Sequence, residues 1–229
     1  MSRREKETIV KRSEINQAIK FTEKLLDSIC FRLPEFGSWD PEQWKIRRAE
    51  TAVIRQTMLG WDITDFGMGK FSEIGAVLFT LRNGIVGRPE IGCPYAEKLI
   101  CLRANQRLPQ HYHVLKTEDI ITRSGLMWME LFNSKKDGSV DRESPVQVDC
   151  DGIRKTYAPG ERFEVPPGCS VTLRPYLYHT FGASVDTVIG EVSSVNDDKT
   201  DNYFSEPVSR FADIIEDEKP VRLLCNEVS

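Results

Sequence analysis

The sequence predicts a mainly β protein, an antiparallel barrel or sandwich preceded by an N-terminal helical segment. From about Trp61 onward, short apolar stretches are separated by clusters of glycine, proline and aspartate. This pattern is typical of antiparallel strands joined by turns. Helical periodicity is confined to the first part of the chain, so the strands do not alternate with helices as they would in a parallel α/β sheet. No internal repeat or linker divides the chain.

The first predicted element is an amphipathic helix of about 18 residues. The charged residues 1–12 are expected to be frayed, and Ser13 is the expected N-cap, with Glu14 in the first turn. Pro34 ends this segment, and Pro41 favours a second, shorter helix. The apolar positions at helical spacing are Ile15, Ala18, Ile19, Leu25, Leu26 and Ile29. Such a face needs an apolar surface to cover, on its own barrel or on a partner subunit.

Strands are predicted in the rest of the chain. The first covers residues 76–82 and is expected to end in a tight turn at Asn83-Gly84. The later ones are predicted at residues 96–103, 110–114, 126–132, 145–149, 162–165, 170–175 and 187–192. Turn residues separate each of these stretches from the next.

One domain is expected over residues 1–229. Residues 1–60 form the helical segment that packs on the barrel, 61–206 form the barrel core, and 207–229 form a C-terminal tail. Within the tail, residues 207–219 are predicted to be a closing turn or a short helix that ends at Pro220.

Composition excludes several classes of partner. The net charge is −4 with both signs interspersed, so neither a nucleic-acid footprint nor attraction to an anionic membrane is expected. No apolar run approaches the ~20 residues that span a bilayer, and the N-terminus does not resemble a secretory signal. The six cysteines form no C-x-x-C pair, which favours free thiols in a reduced cytoplasm.

The three histidines of the chain fall in one pattern that favours a metal site. Side chains two residues apart on a strand point to the same face, about 6–7 Å apart, so His111 and His113 can converge on one ion. Glu118 follows closely enough to add a carboxylate oxygen, and His179 is the candidate fourth ligand. This mixed set suits Mn²⁺, Fe²⁺, Co²⁺, Ni²⁺ or Zn²⁺ better than Ca²⁺ or Mg²⁺, which prefer oxygen shells.

Two motifs resemble those of the cupin superfamily, a small jelly-roll barrel with a metal in its mouth. Residues 111–125 read H-x-H-x4-E-x6-G, and residues 160–168 read G-x5-P-x-G. Two positions depart from the superfamily pattern. Asn105 replaces a glycine, and Val171 replaces the second motif's histidine. A longer strand, bent at Pro175, could still carry His179 to the barrel mouth.

Three runs, at residues 95–99, 110–121 and 190–202, resemble bacterial D-lyxose isomerases, as does the N-terminal helix. The similarity therefore extends nearly end to end. It implies a cupin enzyme that uses a divalent ion, usually Mn²⁺, to interconvert D-lyxose and D-xylulose, often with D-mannose and D-fructose as a second pair. Aldose–ketose isomerisation passes through an enediolate, whose charge a divalent ion can stabilise.

Four further residues are candidates for the chemistry. Glu191, in an otherwise apolar strand, is the favoured general base, although a salt bridge to a buried arginine would also explain it. Lys116 is expected near the metal, or else at the surface beside it. Lys98 is expected to face the barrel interior, the alternative being a lysine that extends to water. Asp201 is predicted to bind sugar hydroxyls, the alternative being an ordinary residue of a polar loop.

Other functions remain open at this point. A cupin Fe(II) dioxygenase and a non-catalytic metal- or sugar-binding cupin are the main alternatives, and a nucleotide-sugar epimerase is less favoured because no cationic pocket for a diphosphate is evident. The metal, the preferred sugar and the choice between proton transfer and hydride shift are not fixed. A homodimer is predicted because the apolar helix face and four tryptophans imply surface to cover: Trp39, Trp44, Trp61 and Trp128.

Overall fold

The computed structural model describes residues 9–198, 200–208 and 213–228. Its α-helices are α1 (Arg12–Ser28), α2 (Pro41–Ile46) and α3 (Ala52–Gln56). Its strands are β1 (Ile9–Lys11), β2 (Gly60–Thr64), β3 (Ala76–Ile85), β4 (Arg88–Leu102), β5 (His111–Tyr112), β6 (Glu118–Ser124), β7 (Met127–Ser134), β8 (Val140–Asp141), β9 (Val146–Cys150), β10 (Ile153–Tyr157), β11 (Arg162–Val165), β12 (Ser170–Leu173), β13 (Leu177–Ala183), β14 (Thr187–Ser194), β15 (Tyr203–Phe204) and β16 (Asp213–Ile215).

Two antiparallel sheets enclose the main core. One has eight strands in the order β10-β9-β12-β6-β14-β4-β3-β2, and the other has the order β11-β7-β13-β5-β15 with β8 paired to β7. Ile100 and Ile120 of the first sheet pack into one apolar cluster with Met129 and Phe181 of the second. The mainly β architecture predicted from the turn-separated apolar stretches is therefore confirmed.

Helix α1 covers the outer face of the eight-stranded sheet. Ile15 and Ile19 pack with Val77 and Phe79 in a second apolar cluster. Because side chains alternate between the two faces of a strand, β3 and β4 are apolar on both faces, one toward the core and one toward α1. The predicted helix is thus present and its apolar face is buried within the chain.

The predicted cap of α1 is wrong. Lys11 occupies the N-cap position and Ser13 lies inside the first turn. Asp217 accepts hydrogen bonds from the backbone N–H of Ser13 at 2.9 Å and from its hydroxyl at 2.7 Å. A carboxylate from the far end of the chain therefore satisfies a donor that a local cap would serve. Residues 9–11 of the stretch predicted to be frayed form β1, which pairs in parallel with β16.

The predicted turn at Asn83-Gly84 is also wrong. Strand β3 continues through both residues to Ile85, and the chain reverses afterwards, where Gly87 has a φ of 76°. A Cβ atom at Gly84 would collide with the carbonyl oxygen of Cys93 on the neighbouring strand. The glycine is needed there for close approach of two backbones rather than for a turn.

His179 does not lie on a long strand bent at Pro175. Strand β12 ends at Leu173, and Tyr176 adopts a φ of 66° in the turn that follows. The chain then enters β13, which belongs to the other sheet. Residues 207–219 are predicted to form a turn or a short helix. Strand β16 lies within this range instead, and residues 209–212 lie outside the described part of the chain. Helix α2 begins at Pro41, as predicted.

The surfaces that motivated the dimer prediction are covered by the chain itself. All four tryptophans are buried, with Trp39 and Trp44 in contact at a ring distance of 5.0 Å. The homodimer and the domain boundaries at 60/61 and 206/207 therefore stay predictions. The six cysteines form no disulfide bond with one another, and three of them are buried. Within the described residues, no helix combines the length and the apolar character needed to cross a membrane.

Candidate metal centre

Both sheets contribute to a buried cluster at one end of the barrel. His111 on β5 and His179 on β13 are direct register partners in one sheet, His113 follows β5, and Glu118 begins β6 in the other sheet. The Nε2 atoms of His111 and His179 are 3.1 Å apart. Oε1 of Glu118 is 3.2 Å from Nε2 of His179 and 3.5 Å from Nε2 of His113. The four predicted ligands are therefore brought together.

Backbone carbonyls orient the three imidazoles. Nδ1 of His111 donates to the carbonyl of Pro109 at 2.9 Å, and Nδ1 of His179 donates to that of Leu177 at 3.0 Å. Nδ1 of His113 donates to the carbonyl of Asp201 at 2.6 Å. These bonds place the proton on Nδ1. Each Nε2 therefore directs a lone pair toward the other rings and the carboxylate.

This donor set fits a divalent ion. Nε2 of His113 and Oε1 of Glu118 are buried and have no hydrogen-bond partner among the described residues. A buried acceptor without a donor costs about 1–3 kcal/mol, and a cation would satisfy all four acceptors together. Burial, reinforced by His179 and His113, holds the pKa of His111 well below its usual range, which keeps this ring neutral and able to ligate. Three nitrogens and one carboxylate suit a transition metal.

Beside this cluster lies a buried network of opposite charges. Glu191 on β14 is the register partner of Lys98 on β4, and their charged atoms are 3.9 Å apart. Nζ of Lys116 lies 2.7 Å from Oε2 of Glu118 and 3.1 Å from Oε1 of Glu191. Lys98 also approaches Asp198 at 3.5 Å. Lys116 thus links a candidate metal ligand to the candidate base.

Lys116 and Glu118, which form the shortest ion pair of this network, both stay charged. Burial alone would lower the pKa of Lys116, but Glu118 and Glu191 outweigh it and raise that pKa above its usual value. Burial likewise opposes ionisation of Glu118, but Lys116 and His113 hold its pKa well below the usual range. The side chain of Lys98 is 6% exposed, so it does not extend to water. Glu191 is paired with lysines rather than with an arginine.

A cavity of about 110 Å³ is lined in part by three of the four candidate ligands, His111, His113 and Glu118. Its volume is several times the ~10–15 Å³ that one water requires. Its described lining residues are Asp62, Thr64, Phe66, Leu78, Lys98, Ile100, Leu108, His111, His113, Lys116, Glu118, Ile120, Phe181, Glu191, Asp198, Asn202, Phe204 and Val208. The cavity combines an apolar wall with charged groups, as expected of a site for a small polar molecule.

Sequence reasoning missed several residues of this cavity. Asp62 and Thr64 lie two apart on β2, a strand that was not predicted, and their polar character on one face was the available signal. Asp198 and Asn202 belong to the same polar loop as Asp201. Asp201 itself is not among the described residues that line the cavity; its carboxylate accepts hydrogen bonds from the backbone of residues 114–116.

The two departures from the motif pattern have structural explanations. Asn105 has a φ of 71°, the left-handed conformation that glycine adopts freely and asparagine tolerates better than most residues. Val171 is buried in the main core on β12, and His179 reaches the site from β13 instead. Gly125, the last residue of the first motif, has a φ of 82° and lies between β6 and β7.

Comparison with solved structures identifies the class of fold. L-ribose isomerase from Acinetobacter sp. DL28, in complex with L-ribose, aligns with a TM-score of 0.58 and 14% identity over 91% of this chain and 99% of that chain. The L-ribose isomerase of Cellulomonas parahominis, with L-ribose, also gives 0.58 and 14%, over 91% and 100%. At this identity the likeness concerns the fold alone: the chain is a cupin-type barrel, here with a cluster of histidines that could hold a metal.

Sequence comparison is more specific. The model of the D-lyxose isomerase family matches residues 10–228. A D-lyxose/D-mannose isomerase of Serratia proteamaculans is 41% identical over 224 residues, covering 95% of this chain and 97% of that protein. One from Escherichia coli O157:H7 is 41% identical over 226 residues, covering 95% and 98%. The chain therefore belongs to the D-lyxose isomerase family and is a sugar isomerase.

Proposed function

We propose that this protein interconverts D-lyxose and D-xylulose, with D-mannose and D-fructose as a second pair, and that it requires a divalent ion, with Mn²⁺ as the first candidate. The names of the relatives supply the two aldoses, D-lyxose and D-mannose, and the two ketoses follow as their isomerisation products. The observation that carries the proposal is the convergence of four buried acceptors beside a cavity. Two of them, Nε2 of His113 and Oε1 of Glu118, have no hydrogen-bond partner among the described residues. Fe²⁺, Co²⁺, Ni²⁺ and Zn²⁺ are also compatible with this donor set.

His111, His113, His179 and Glu118 would hold the ion. When bound, it would stabilise the negative charge that develops on the two adjacent sugar oxygens during isomerisation. The chain's own contribution is to keep the four ligating atoms oriented through the backbone carbonyls and Lys116. The apolar wall excludes water from the reacting carbons.

Glu191 is our candidate for the proton transfer between C2 and C1. Lys116 and Ser193 donate hydrogen bonds to its Oε1, and Lys98 is nearest the same oxygen. None of the described residues binds Oε2, which leaves this atom for the substrate. As base it would take the proton from C2 of the aldose while the C1–C2 double bond forms and the C1 carbonyl electrons move to O1. It would return that proton to C1 while the C2 carbonyl forms, and the hydroxyl proton of O2 would pass to O1 within the bound sugar. A hydride shift would not need this carboxylate.

The two lysines act as fixed charges in this scheme. The three N–H groups of Lys116 face Glu118, Glu191 and the side-chain oxygen of Asn196, the last at 3.4 Å. An ammonium has three donors, so Lys116 holds two carboxylates apart and in place rather than moving a proton itself. Lys98 adds positive charge beside Glu191. Asp198 and Asn202, which line the cavity, are better placed than Asp201 to contact sugar hydroxyls.

The test is ketose formation from D-lyxose and from D-mannose by protein stripped with a chelator and reloaded with Mn²⁺. Turnover that returns only with the metal supports the proposal. Stoichiometric Mn²⁺ binding without turnover on either sugar would contradict the proposal and favour the alternative of a non-catalytic sugar-binding cupin. Family membership favours isomerisation over dioxygenase chemistry, and oxygen uptake in the same assay would reverse that preference. A cytoplasmic location and a homodimer are proposed alongside; sedimentation at micromolar concentration tests the dimer.

A further inference from the structure

The segment between β14 and β15, here called the crossing loop, joins the two sheets beside the candidate metal centre; its described residues are 195–198 and 200–202. It leaves β14 in one sheet and enters β15 in the other. β15 pairs with β5, where Phe204 is the register partner of His111 and its ring stacks on that imidazole at 5.3 Å. The crossing loop therefore lies beside both the histidines and the buried ion pairs.

Asp201 of the crossing loop is 4% exposed and accepts hydrogen bonds through both its carboxylate and its backbone carbonyl. Its Oδ1 accepts the backbone N–H of Val114 at 2.8 Å and of Leu115 at 3.0 Å. Its Oδ2 accepts Leu115 at 3.2 Å and Lys116 at 2.8 Å. Its own carbonyl accepts Nδ1–H of His113. One residue therefore holds His113 directly and closes the turn that leads from His113 to Lys116.

The acceptor capacity of this carboxylate is used up. An ionised carboxylate offers about four lone-pair sites, and four N–H contacts occupy them. A sugar hydroxyl could bind to Asp201 only by displacing a buried backbone donor, which would then lack a partner. This count separates Asp201 from Asp198 and Asn202 of the same loop, which line the cavity.

We propose that Asp201 is a positioning residue of the metal centre, which fixes His113 and the turn of residues 113–116, and that it does not contact the sugar. The inference rests on the proposed function only in taking the four acceptors to be metal ligands. Without the carboxylate, three consecutive N–H groups lose their acceptor and the turn relaxes. The ligands would then have to be ordered when the ion binds, which weakens its binding.

A second residue anchors the other end of the crossing loop. Asn83, 7% exposed, accepts the backbone N–H of Asn196 at 3.0 Å and donates to its carbonyl at 3.2 Å. It also donates to the carbonyl of Thr57 at 3.3 Å. Asn83 contacts none of the four candidate ligands, so its replacement tests the loop without touching the centre.

The experiment compares Asp201→Asn and Asn83→Ala with the wild type and with Asp151→Asn as a matched control. Asp151 also accepts a backbone N–H, from Ser170 at 2.7 Å, but Ser170 pairs with Ile121, further along β6 from the site. For each protein, the Kd of Mn²⁺ is measured by competition with a chromophoric chelator, and the KM for D-lyxose is measured at saturating Mn²⁺. Circular dichroism checks that each variant is folded.

We expect Asp201→Asn to raise the Kd of Mn²⁺ by about 10–100-fold and to leave the KM for D-lyxose unchanged once Mn²⁺ is saturating. Asn83→Ala should raise the same Kd by about fivefold, and Asp151→Asn should not change it. An unchanged Kd for Asp201→Asn, with or without a raised KM, would overturn the proposal. If Asp201→Asn does not fold, Asn83→Ala provides the test. A Kd of Mn²⁺ equal to that of the wild type would then overturn the proposal.

A failure of the metal hypothesis can be distinguished from a failure of the positioning role of Asp201. If the wild type bound no Mn²⁺, the proposed function would lose its metal, but the positioning role could still be measured by NMR of ¹⁵N-labelled histidine. The Nδ1–H proton of His113 should be protected from exchange in the wild type and in Asp151→Asn, and exposed to exchange in Asp201→Asn. Equal protection in all three proteins would overturn the proposal.

Discussion

Two charge clusters in this chain, each built around a buried cation, differ in how completely their acceptors are hydrogen-bonded. One is the candidate metal centre with its ion network. The other, here called the clasp, consists of Arg12 on α1 with Glu216 and Glu227 of the C-terminal segment. Both join parts of the chain that are distant in sequence. Only the first leaves acceptors without donors.

In the clasp, a single cation satisfies two carboxylates. Arg12 is 1% exposed, and its guanidinium donates to Glu216 at 2.9 and 2.6 Å. It also donates to both oxygens of Glu227, with Nη1 at 3.2 Å from Oε2. The hydrogen bonds to Glu216 outweigh burial and raise the pKa of Arg12 above its usual value. The cluster needs no further ligand and holds α1 to the end of the chain.

At the metal centre the balance is reversed. Two cations, Lys98 and Lys116, face the carboxylates, yet Oε1 of Glu118 and Nε2 of His113 remain without partners among the described residues. Buried polar groups in native proteins nearly always have a hydrogen-bond partner. Two buried acceptors without one therefore favour a site for a ligand that binds both. A satisfied charge cluster stabilises the fold, whereas an unsatisfied one predicts a ligand.

The largest expected effect follows from removing one of the unpaired acceptors. His113→Ala should abolish Mn²⁺ binding and lower turnover about 1,000-fold, because a Lewis acid supplies several kcal/mol of charge stabilisation. Mn²⁺ at about 100 times its Kd should stabilise the wild type by about 2.7 kcal/mol and should not stabilise the variant. Calorimetry measures the binding of Mn²⁺ and the stabilisation it causes, and ketose formation measures turnover.

Tyr112→Phe is the matched control. Tyr112 lies between His111 and His113 but packs on the opposite side of β5, against Tyr178. This variant should bind Mn²⁺ as the wild type does. Mn²⁺ bound with undiminished affinity by His113→Ala would show that the comparison with the clasp is misleading.

The next effect separates chemistry from metal binding. Glu191→Gln should leave the Kd of Mn²⁺ unchanged and lower kcat by about 10²-fold, the lower end of the usual contribution of a general base. Glu97→Gln is the control, because Glu97 lies next to Lys98 on β4 and pairs with Arg82 instead. Normal turnover by Glu191→Gln would remove Glu191 as the base and favour a hydride shift.

Local periodicity was sufficient to predict much of this centre. Lys98 lies two residues before Ile100, and Glu191 two residues after Ile189, and both isoleucines belong to the main core. Their otherwise apolar strands indicated an interior position for both charged residues, and the alternation of side chains with a period of two accounts for it. The same rule paired His111 with His113, although β5 is only two residues long.

Features that depend on distant parts of the chain could not be predicted in this way. The strand that carries His179 begins after a non-glycine residue, Tyr176, with a positive φ, for which the sequence gives little signal. Ser13 is served by Asp217 rather than acting as a cap. The crossing loop is placed by Asn83, which local sequence predicts as a turn residue.

A smaller effect is expected at the clasp, on stability alone. Arg12→Met should lower the free energy of unfolding by about 2 kcal/mol, the scale of charge-assisted hydrogen bonds, and the Tm by about 4–8 °C for a domain of this size. The loss is limited because the side chain of Glu216 is 55% exposed and water can replace Arg12 there. The Kd of Mn²⁺ and kcat at 25 °C should not change.

Arg222→Met is the control for that variant. Arg222 forms a more exposed ion pair with Glu23 at 2.9 Å, which should contribute about 0–1 kcal/mol. Loss of Mn²⁺ binding in Arg12→Met would mean that the clasp and the metal centre are coupled, contrary to the distinction drawn between them.

The smallest effect is the pH dependence of the clasp. Hydrogen bonds from Arg12 lower the pKa of Glu216 below its ordinary value of 4.5. A carboxylate with a lowered pKa in the folded state contributes stability that is fully present above its unfolded pKa and is lost as the pH falls through its folded pKa. The difference in unfolding free energy between the wild type and Arg12→Met should therefore be constant above about pH 5 and should shrink below pH 4.5. Urea denaturation of both proteins across this range measures it, and a difference that grew on acidification would show that the carboxylates of the clasp are not held ionised by Arg12.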